Sequence, residues 1–399
     1  MSQALQLTLK GKEEKFIEKF PKTSLTETWK PSATVSSSIE PLETSDFSWG
    51  NKVSVLIPPT KGDYIQKMYL HFTLPALTNN GGSFASYTNT IGFNIFEKIE
   101  LYIGETMITR KYSNSLEAEL YQRTLKDSYD NMNQTIGRFD DMFKLQANAA
   151  AETVYTVPLS FWFTEDTKKA FPLFLVKNQD IRLDIYIRNF QDIVNYDSNT
   201  PPNQVTPTTF RLLVKFSSIE NSLKQITDLN QKTKEIIIPI EQDETFIDNI
   251  SDRNTTQFNG TSRGLFLFYR TDFSQQNNDY LNYCYNNNGI GQIQNILDSL
   301  RIELDGVELM KYTDEKVLRW IQPWEYYSTP NLRYIYYIPF SENIDSFTGN
   351  INFSVVKNQD FYSKLNVNAN NISGKVFIIN KRINYLKIFH NTVSLVFPY

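Results

Sequence analysis

Short segments in which apolar and polar residues alternate run through the whole sequence. In such a segment every second side chain points to the same face, which is typical of a β-strand with one buried face. The segments are 52–58, 64–74, 96–103, 153–159, 180–187 and 210–216 in the first half, and 235–240, 264–269, 300–304, 334–338, 350–356, 375–379 and 386–397 in the second. The alternation therefore predicts an all-β protein built from many short strands.

Helical periodicity is confined to 13–20, 115–126, 221–227 and 314–321. The second of these stretches follows Asn114, a residue type that often caps helix N-termini. The polar stretches 127–151 and 192–207 are rich in turn-forming residues, and we predict them to be loops. So few helices exclude a fold in which strands and helices alternate.

The sequence contains an internal repeat. The pentapeptide VKNQD occurs at 176–180 and again at 356–360. The segment IELYIGETMITRKY, which ends at Tyr112, is similar to RIELDGVELMKY, which ends at Tyr312. Two similarities in the same order indicate a duplication. The first copy has about twenty more residues between its two motifs than the second, and we assign them to the 127–151 loop.

Each copy is long enough for about eight strands, the number found in an antiparallel jelly roll. We therefore predict an all-β fold of two tandem eight-stranded antiparallel jelly rolls, a double jelly roll, with a few short helices in loops. The predicted organisation is an N-terminal arm at 1–30, a first jelly roll at 31–220, a linker at 221–234 and a second jelly roll at 235–399.

The residue types that most metal sites and catalytic triads require are scarce. The chain has two histidines, His71 and His390, and one cysteine, Cys284. We interpret both histidines as structural, because neither has obvious catalytic partners. The sequence contains no phosphate-binding glycine motif, and its formal net charge is −4. We therefore expect no catalytic residues, no metal, no cofactor and no sequence-specific binding of nucleic acid.

Other chemically interesting residues also have ordinary structural interpretations. The carboxylate pairs Asp140 with Asp141 and Asp243 with Glu244 stand in polar stretches, and we interpret them as solvated turn residues. The tyrosine-rich segments 324–330 and 332–340 could stack on sugars or on single-stranded nucleic acid. Packing in the core or between subunits is our first interpretation of these tyrosines.

Motifs in the first half of the chain follow one another in a distinctive order. The opening LQLTLKG is followed by GDYIQKMYLHFTLPAL, and then by a strand, a glycine turn and a helical segment that contain Gly92 and Gly104. Next comes the aromatic triplet Phe161, Trp162 and Phe163, followed by Pro172 in a Pro-Leu strand.

The second half continues the series. Gln322 and Pro323 stand in a Gln-Pro-aromatic motif, and Gly349, Asn352, Phe353 and Ser354 form the pattern Gly-x-x-Asn-Phe-Ser. In this order the motifs resemble those of the double jelly-roll major capsid proteins of nucleocytoplasmic large DNA viruses and of their virophage and polinton-like relatives. The resemblance implies structural roles for the twelve motif residues, and we expect Asn352 to form a structural hydrogen bond.

The chain departs from the family pattern in two places. The family usually has Pro-Ser before the second-half glycine and Asp-Asn after Asn-Phe-Ser, where this chain has Phe347 and Thr348, and Lys357 and Asn358. The short length and modest loops favour a virophage or polinton-like relative.

The resemblance implies a structural protein and not an enzyme. Members of this family form pseudo-hexagonal homotrimeric capsomers that tile the icosahedral shell of a double-stranded DNA virus. The implied partners are the chain itself, neighbouring capsomers, and minor capsid and penton proteins. The implied location is the virion, assembled in the host cytoplasm or a virus factory. Two alternatives remain open: a transient scaffold of the same fold that shapes immature virions on a membrane, and a carbohydrate-binding or carbohydrate-cleaving β-sandwich.

The N-terminal arm at 1–30 begins with the alternating residues Leu5, Leu7 and Leu9 and then becomes charged. We expect the arm to contact neighbouring capsomers, minor capsid proteins or an inner membrane surface. The alternative is that it packs along its own trimer or frays.

Overall fold

The computed structural model describes residues 36–124, 128–139, 141–165, 167–219, 235–286, 293–327, 334–341, 349–366 and 372–397. The expected arm at 1–30, the expected linker at 221–234 and the helices predicted at 13–20 and 221–227 lie outside these residues.

The strands of the first half are β1 (Ser36–Glu43), β2 (Lys52–Ile57), β3 (Tyr64–Leu74), β4 (Ala85–Tyr87), β5 (Phe96–Ile103), β6 (Thr106–Tyr112), β7 (Thr153–Pro158), β8 (Phe171–Pro172), β9 (Ile181–Ile187), β10 (Val194–Tyr196) and β11 (Thr209–Ser218). Those of the second half are β12 (Ile236–Asn249), β13 (Arg253–Thr256), β14 (Thr261–Thr271), β15 (Tyr285–Asn286), β16 (Ile293–Gln294), β17 (Leu297–Leu304), β18 (Val307–Asp314), β19 (Tyr336–Pro339), β20 (Ile351–Asn352), β21 (Gln359–Leu365), β22 (Gly374–Phe389) and β23 (Thr392–Leu395).

The helices are α1 (Ile91–Asn94), α2 (Ser113–Arg123), α3 (Tyr129–Ile136), α4 (Met142–Ala149), α5 (Asp272–Gln276) and α6 (Gln322–Tyr327). A π-helical turn, Val317–Ile321, leads into α6, and short 3-10 turns occur at Thr167–Lys169, Leu173–Leu175, Phe190–Ile193 and Phe353–Val355. Within the described ranges, no helix has both the length and the apolar character needed to cross a membrane.

Two four-stranded antiparallel sheets form the frame of each half. In the first half their strand orders are β1-β11-β3-β7 and β2-β9-β5-β6. In the second half the orders are β12-β22-β14-β19 and β13-β21-β17-β18. Each strand of the first pair of sheets has a counterpart at the same place in the second pair. This arrangement confirms the predicted double jelly roll with eight framework strands in each roll.

The sequence repeats fall at equivalent places in the two rolls. One copy of VKNQD immediately precedes β9, and the other runs into β21, the strand that takes the place of β9 in the second roll. The short strands β8 and β20 also pair with equivalent strands, β3 and β14. The matching positions support a duplication in which the copies share one scaffold.

The sheet that contains β14 is buried on both of its faces. Leu265 and Leu267 face the core of the second jelly roll. Phe266 and Phe268, which alternate with them, belong to the larger apolar cluster that includes the core of the first roll. Since side chains alternate across a strand, this sheet separates the two cores and contributes to both. The two jelly rolls therefore share a continuous apolar interface.

The structure corrects several local predictions. The stretch 127–151, predicted to be a loop, contains α3 and α4. The stretch 192–207 contains the short strand β10, which pairs with β4. Residues 350–356, predicted to form a strand, contain only the two-residue strand β20 followed by a 3-10 turn.

The ends of two predicted helices differ from those in the structure. Helix α2 begins at Ser113 and not at Ser115, with Tyr112 at its N-cap position, so Asn114 lies inside the helix. Of the stretch 314–321, Asp314 ends β18, while residues 315–321 are helical as predicted and lead into α6.

Candidate functional site: the buried interface between the jelly rolls

Helix α2 lies between the two jelly rolls, and polar side chains on it contact the second roll. The Ser115 hydroxyl donates a hydrogen bond to Asp243 on β12. The carboxylate of Glu117 accepts a hydrogen bond from the Tyr283 hydroxyl at 2.7 Å. Nine of the eleven residues of α2 are buried. A helix buried on all sides cannot place its charged residues in water, so they must find partners in the neighbouring roll.

A cluster of buried charges, which we call the interface cluster, joins α2, β6, β12 and β22. It consists of Lys111, Glu119, Glu241, Asp243 and Lys381. The Lys111 ammonium lies 2.6 Å from one carboxylate oxygen of Glu119 and 3.7 Å from Asp243. The Lys381 ammonium lies 2.7 Å from Asp243 and also contacts Glu119. Strands of both halves thus share one ionic network.

The charges of the interface cluster balance when Arg263 is counted with it. The guanidinium of Arg263 lies 3.3 Å from Glu241. Three cations, Lys111, Lys381 and Arg263, then face three carboxylates, Glu119, Glu241 and Asp243. Buried charges are tolerated when they are paired and hydrogen-bonded, whereas the loss of one partner leaves a costly uncompensated charge. The cluster therefore favours one docking geometry of the two rolls.

The pKa values of the cluster show how the burial and the charges compete. For Asp243, burial acts to raise the pKa, but the ammonium groups of Lys111 and Lys381 outweigh it and lower the pKa. For Glu119, burial outweighs the same two lysines and raises the pKa. For Lys381, burial acts to lower the pKa, and the surrounding carboxylates, first Asp243 and then Glu119, raise it above its usual value. Lys381 therefore remains charged in the folded protein.

A second buried acid lies on the same helix. Burial raises the pKa of Glu117 to about 7, while Arg138 and the Tyr283 hydroxyl act in the opposite direction. The guanidinium of Arg138 lies 3.5 Å from the carboxylate of Glu117. Glu117 is thus a buried group of this interface whose charge depends on pH near neutrality.

Three carboxylates of the interface cluster could in principle form a metal site. Oxygens of Glu119, Glu241 and Asp243 lie within 4.8 Å of one another. An all-oxygen set would suit a hard cation such as Mg²⁺ or Ca²⁺. However, the ammonium groups of Lys111 and Lys381 lie among these oxygens and neutralise them. The residues present do not fit a metal ion, so we describe the cluster as an ion-pair network.

Hydrogen bonds between side chains and backbone also tie the two rolls together. Gln179, from the first VKNQD motif, donates to the carbonyl of Val393 at 3.2 Å and accepts from its N–H at 2.6 Å. Gln242 on β12 donates to the carbonyl of Ile108 on β6. Gln359, the equivalent of Gln179, instead binds the backbone of Phe258 within its own roll. The two copies of the repeat therefore differ: Gln179 contacts the other roll, and Gln359 contacts its own roll.

The interpretation of Asp243 and Glu244 as solvated turn residues was wrong. Both lie in the middle of the 14-residue strand β12. Asp243 is buried in the interface cluster, and Glu244 accepts hydrogen bonds from Asn380 and from the N–H of Asn259. Asp141, by contrast, is exposed and caps α4 through the N–H of Phe143. Asp140 lies outside the described residues.

Sequence reasoning did not find the interface cluster. The available signal was the polar triplet Asn380, Lys381 and Arg382 between apolar residues of one predicted strand region. A charged residue at such a position needs a buried partner, but its partners are distant in sequence.

The structure places the first-half motif residues in the core and at turns. Gly92 lies in α1, where a Cβ atom would be 2.8 Å from Val157 and 2.9 Å from the carbonyl oxygen of Ile136. Gly104 has a φ of +59° in the β5–β6 turn. Phe161, Trp162 and Phe163 are buried, and the Phe161 and Phe163 rings stack with centroids 5.4 Å apart. Pro172 ends β8 and pairs with Tyr64.

The second-half motif residues surround one turn. The Asn352 side chain accepts a hydrogen bond from the N–H of Ser354 at 3.0 Å, and the Ser354 hydroxyl accepts one from the N–H of Gly260 at 2.7 Å. Phe353 is buried and donates its N–H to the carbonyl of Gly260 at 2.8 Å. A Cβ atom on Gly349 would lie 2.5 Å from the carbonyl oxygen of Phe340.

Gln322 and Pro323 are the first two residues of α6. Pro323 is buried and Gln322 is half-buried. Pro323 has no N–H to donate, and it follows directly on the π-helical turn, whose end is bonded by the N–H of Gln322 to the carbonyl of Val317.

The histidines and the cysteine occupy structural positions. On β3, His71 Nδ1 lies 3.0 Å from the Thr156 hydroxyl, and burial, followed by Arg211, lowers the pKa of His71. His390 lies in the β22–β23 turn with a φ of +50°. Burial raises the pKa of the Cys284 thiol to about 11, so the thiol is not activated as a nucleophile.

Comparisons with known proteins agree on one family. Residues 30–209 match the family model of the major capsid protein N-terminus. Capsid protein 1 of Acanthamoeba polyphaga mimivirus is 26% identical over 166 residues, which are 38% of this chain and 28% of that protein. The chain therefore matches less than a third of the length of this curated relative.

Solved structures extend the similarity to both halves. One similar structure is the crystal structure of PBCV-1 VP54 fitted into a cryo-EM reconstruction of the virophage Sputnik. It has a TM-score of 0.78 and 17% sequence identity, and the match covers 95% of this chain and 100% of the VP54 chain. A chain of the Sputnik virophage structure has a TM-score of 0.58 with 10% identity and covers 91% of this chain and 88% of its own.

The homologues named in these matches are capsid proteins, which are structural components of virions. Residues 30–209 are similar by sequence to the N-terminal part of major capsid proteins, and the chain carries over both of its halves the double jelly-roll fold of these proteins.

Proposed function

We propose that this chain is a major capsid protein that forms pseudo-hexagonal homotrimeric capsomers, and that these capsomers tile the icosahedral shell of a double-stranded DNA virus. Each chain contributes two similar jelly rolls, so three chains related by threefold symmetry supply six similar units. Six similar units have a near-hexagonal outline that can pack in a plane.

The observation that carries the proposal is the fusion of two equivalent jelly rolls across a buried interface. The strand orders of the two rolls match. The apolar cluster that fills the first roll continues into the second, and the interface cluster adds paired charges. A unit held in this way can act as a rigid building block, which a shell of many identical copies requires.

Apolar side chains on the surface give further support. Strand β18 is an edge strand of its sheet in the described structure, and its residues Val307 and Tyr312 are 69% and 55% exposed. Trp324 on α6 is 58% exposed. Exposed apolar groups of this size are typical of surfaces that pack against another chain. We assign this surface to contacts between subunits.

The proposal includes the division into an arm at 1–30, a first roll at 31–220, a linker at 221–234 and a second roll at 235–399. It is supported by the sheets, because each described sheet takes its strands from one half only. We further propose that neighbouring capsomers, minor capsid proteins and penton proteins are partners, and that the arm contacts them or an inner membrane surface.

The mass of the purified protein in solution tests the oligomeric state. One chain has a mass of 46.5 kDa, so light scattering coupled to size exclusion should give about 140 kDa for the trimer. A strict monomer over a wide concentration range would contradict the proposal.

The presence of the chain in purified mature particles tests the role. A capsid protein remains in the mature particle at high copy number. Loss of the chain during maturation would instead identify a transient scaffold of the same fold.

A further inference from the structure

A groove opens at one end of the molecule, where loops from both jelly rolls meet. Its walls come from the β3–β5, β6–β7 and β9–β11 connections of the first roll and from residues 276–279 of the second. The groove is open to solvent, and together with the solvent space at its mouth it has a volume of about 1420 Å³. Asn278 joins the two sides, because its amide donates to the carbonyls of Gln191 and Val194, each at 3.1 Å. The groove therefore exists only when the two rolls are docked.

Neutral polar side chains dominate the walls. Six of the sixteen lining residues are amides: Asn89, Gln191, Asn195, Gln276, Asn277 and Asn278. None of the described residues that line the groove is Lys, Arg or His. A phosphate, a sulfated sugar or a sialylated sugar would therefore find no cation to pair with.

Three aspartates line the groove, but each already accepts a hydrogen bond from its own loop or from a neighbouring one. Asp197 accepts from the N–H of Phe84 at 2.9 Å, and Asp141 accepts from the N–H of Phe143 at 2.9 Å. Asp279 accepts from the amide of Asn282 at 2.9 Å. These carboxylates hold the loops in place, and they do not converge on one point as the ligands of a cation would. They retain lone pairs that can accept hydrogen bonds from hydroxyl groups.

A buried hydroxyl in the groove wall has no partner. Ser86 lines the groove and is 1% exposed, and its hydroxyl makes no hydrogen bond within the described structure. A buried polar group without a partner is unfavourable unless a water molecule or a ligand supplies one. This hydroxyl is a second, independent indication of a binding site.

Aromatic rings lie beside the polar groups. The Tyr196 ring is 41% exposed at the groove, and Phe84 and Phe139 are half-buried in its walls. A sugar ring has one apolar face of C–H groups and a rim of hydroxyls, so it matches a surface that combines exposed rings with amides and carboxylates.

We propose that this groove binds a neutral oligosaccharide, with the Tyr196 ring against the apolar face of one sugar and the exposed side-chain amides of Gln191 and Gln276 hydrogen-bonded to its hydroxyls. Such a site would let the protein recognise neutral glycans in addition to building a shell. The proposal rests on the groove in a single chain, so it is independent of the trimer.

Calorimetric titration of the full-length protein tests this site. The probes are linear hexasaccharides of glucose and of N-acetylglucosamine in one arm, and a neutral high-mannose N-linked glycan in the other. Binding in the first arm indicates a polysaccharide source, and binding in the second arm indicates a glycoprotein source. We expect at least one neutral probe to bind, and a heparin hexasaccharide not to bind.

Two single substitutions test whether the probe binds in the groove. Tyr196→Ala should lower the affinity for the neutral probe by about tenfold, because the contact between the ring and the sugar is lost. The matched control is Tyr385→Ala, which removes an exposed tyrosine from β22 and should leave the affinity unchanged. The thermal unfolding midpoint of each variant shows that it is folded. Absence of binding by every neutral probe, equal effects of the two variants, or preference for heparin would overturn the proposal.

Discussion

Lys381 lies directly opposite Asp243 on the neighbouring strand, and its ammonium is 2.7 Å from the Asp243 carboxylate, in a position where both are buried between the two jelly rolls. Cross-strand pairs of opposite charge usually stabilise the surface of a sheet. Here the pair lies in the interior, and Glu119 from the first roll completes it. The pair thus links the packing of one sheet to the docking of two domains.

Asp243→Asn should be strongly destabilising, because it leaves the ammonium groups of Lys111 and Lys381 with too few negative partners. We expect a loss of about 3 to 5 kcal/mol in the free energy of unfolding, measured by urea denaturation. Asp298→Asn is the matched control, since Asp298 forms an exposed pair with Lys364 at 3.9 Å. The control should cost less than about 1 kcal/mol. Equal losses in the two variants would contradict the assigned role of the cluster.

Asp243→Asn combined with Lys381→Met should cost less than the sum of the two single variants. The double variant removes one charge of each sign and leaves Lys111 paired with Glu119. A coupling free energy of about 1 to 3 kcal/mol is expected between residues in direct contact. Additive losses in this double-mutant cycle would show that the two side chains act independently.

Glu117→Gln should change how stability depends on pH. Because burial raises the pKa of Glu117 from 4.5 to about 7, the folded protein holds a proton there that the unfolded chain releases between these values. The free energy of unfolding of the wild type should therefore fall as pH rises through this window. The free energy of unfolding of Glu117→Gln should therefore rise relative to that of the wild type by on the order of 2 kcal/mol between about pH 4.5 and pH 8.

Urea denaturation of both proteins across this pH range measures the effect. The control is Glu97→Gln, which removes an exposed carboxyl from β5. Its difference from the wild type should vary little across the window. A constant difference between Glu117→Gln and the wild type would show that Glu117 is not protonated in the folded protein near neutral pH.

Gly92→Ala should destabilise the protein, although alanine is the better helix former. At an open helical position the substitution would be favourable by up to about 1 kcal/mol. In α1, the new Cβ atom would lie 2.9 Å from the carbonyl oxygen of Ile136, a backbone atom that cannot move away easily. We expect a net loss of about 1 to 3 kcal/mol in thermal or urea unfolding. A neutral or stabilising result would show that α1 is not packed tightly on α3.

The strand pattern could be read from the sequence because it depends on local alternation. The predicted segment 64–74 coincides with β3, and 96–103 coincides with β5. The edge strand β1 was not predicted, because its sequence SSSIEPLE shows little alternation of apolar and polar residues and is mostly exposed. The helices α3 and α4 were missed because each has only eight residues, and because the residues of α3, YDNMNQTI, are also typical of loops.

The interface cluster could not be predicted in this way because its partners are far apart in the chain. Glu119 and Lys381 are separated by 262 positions. The sequence EQDE around Asp243 is indistinguishable from a solvated turn until β22 supplies a buried lysine opposite it. Local patterns therefore predicted the frame of each jelly roll, while the contacts that join the rolls became visible only in three dimensions.

Electron microscopy of the purified protein in end-on view tests the central claim most directly. If three chains form a capsomer from two jelly rolls each, class averages should show a threefold particle with six similar densities and a near-hexagonal outline. Particles with only two densities, or an assembly without threefold symmetry, would contradict the account.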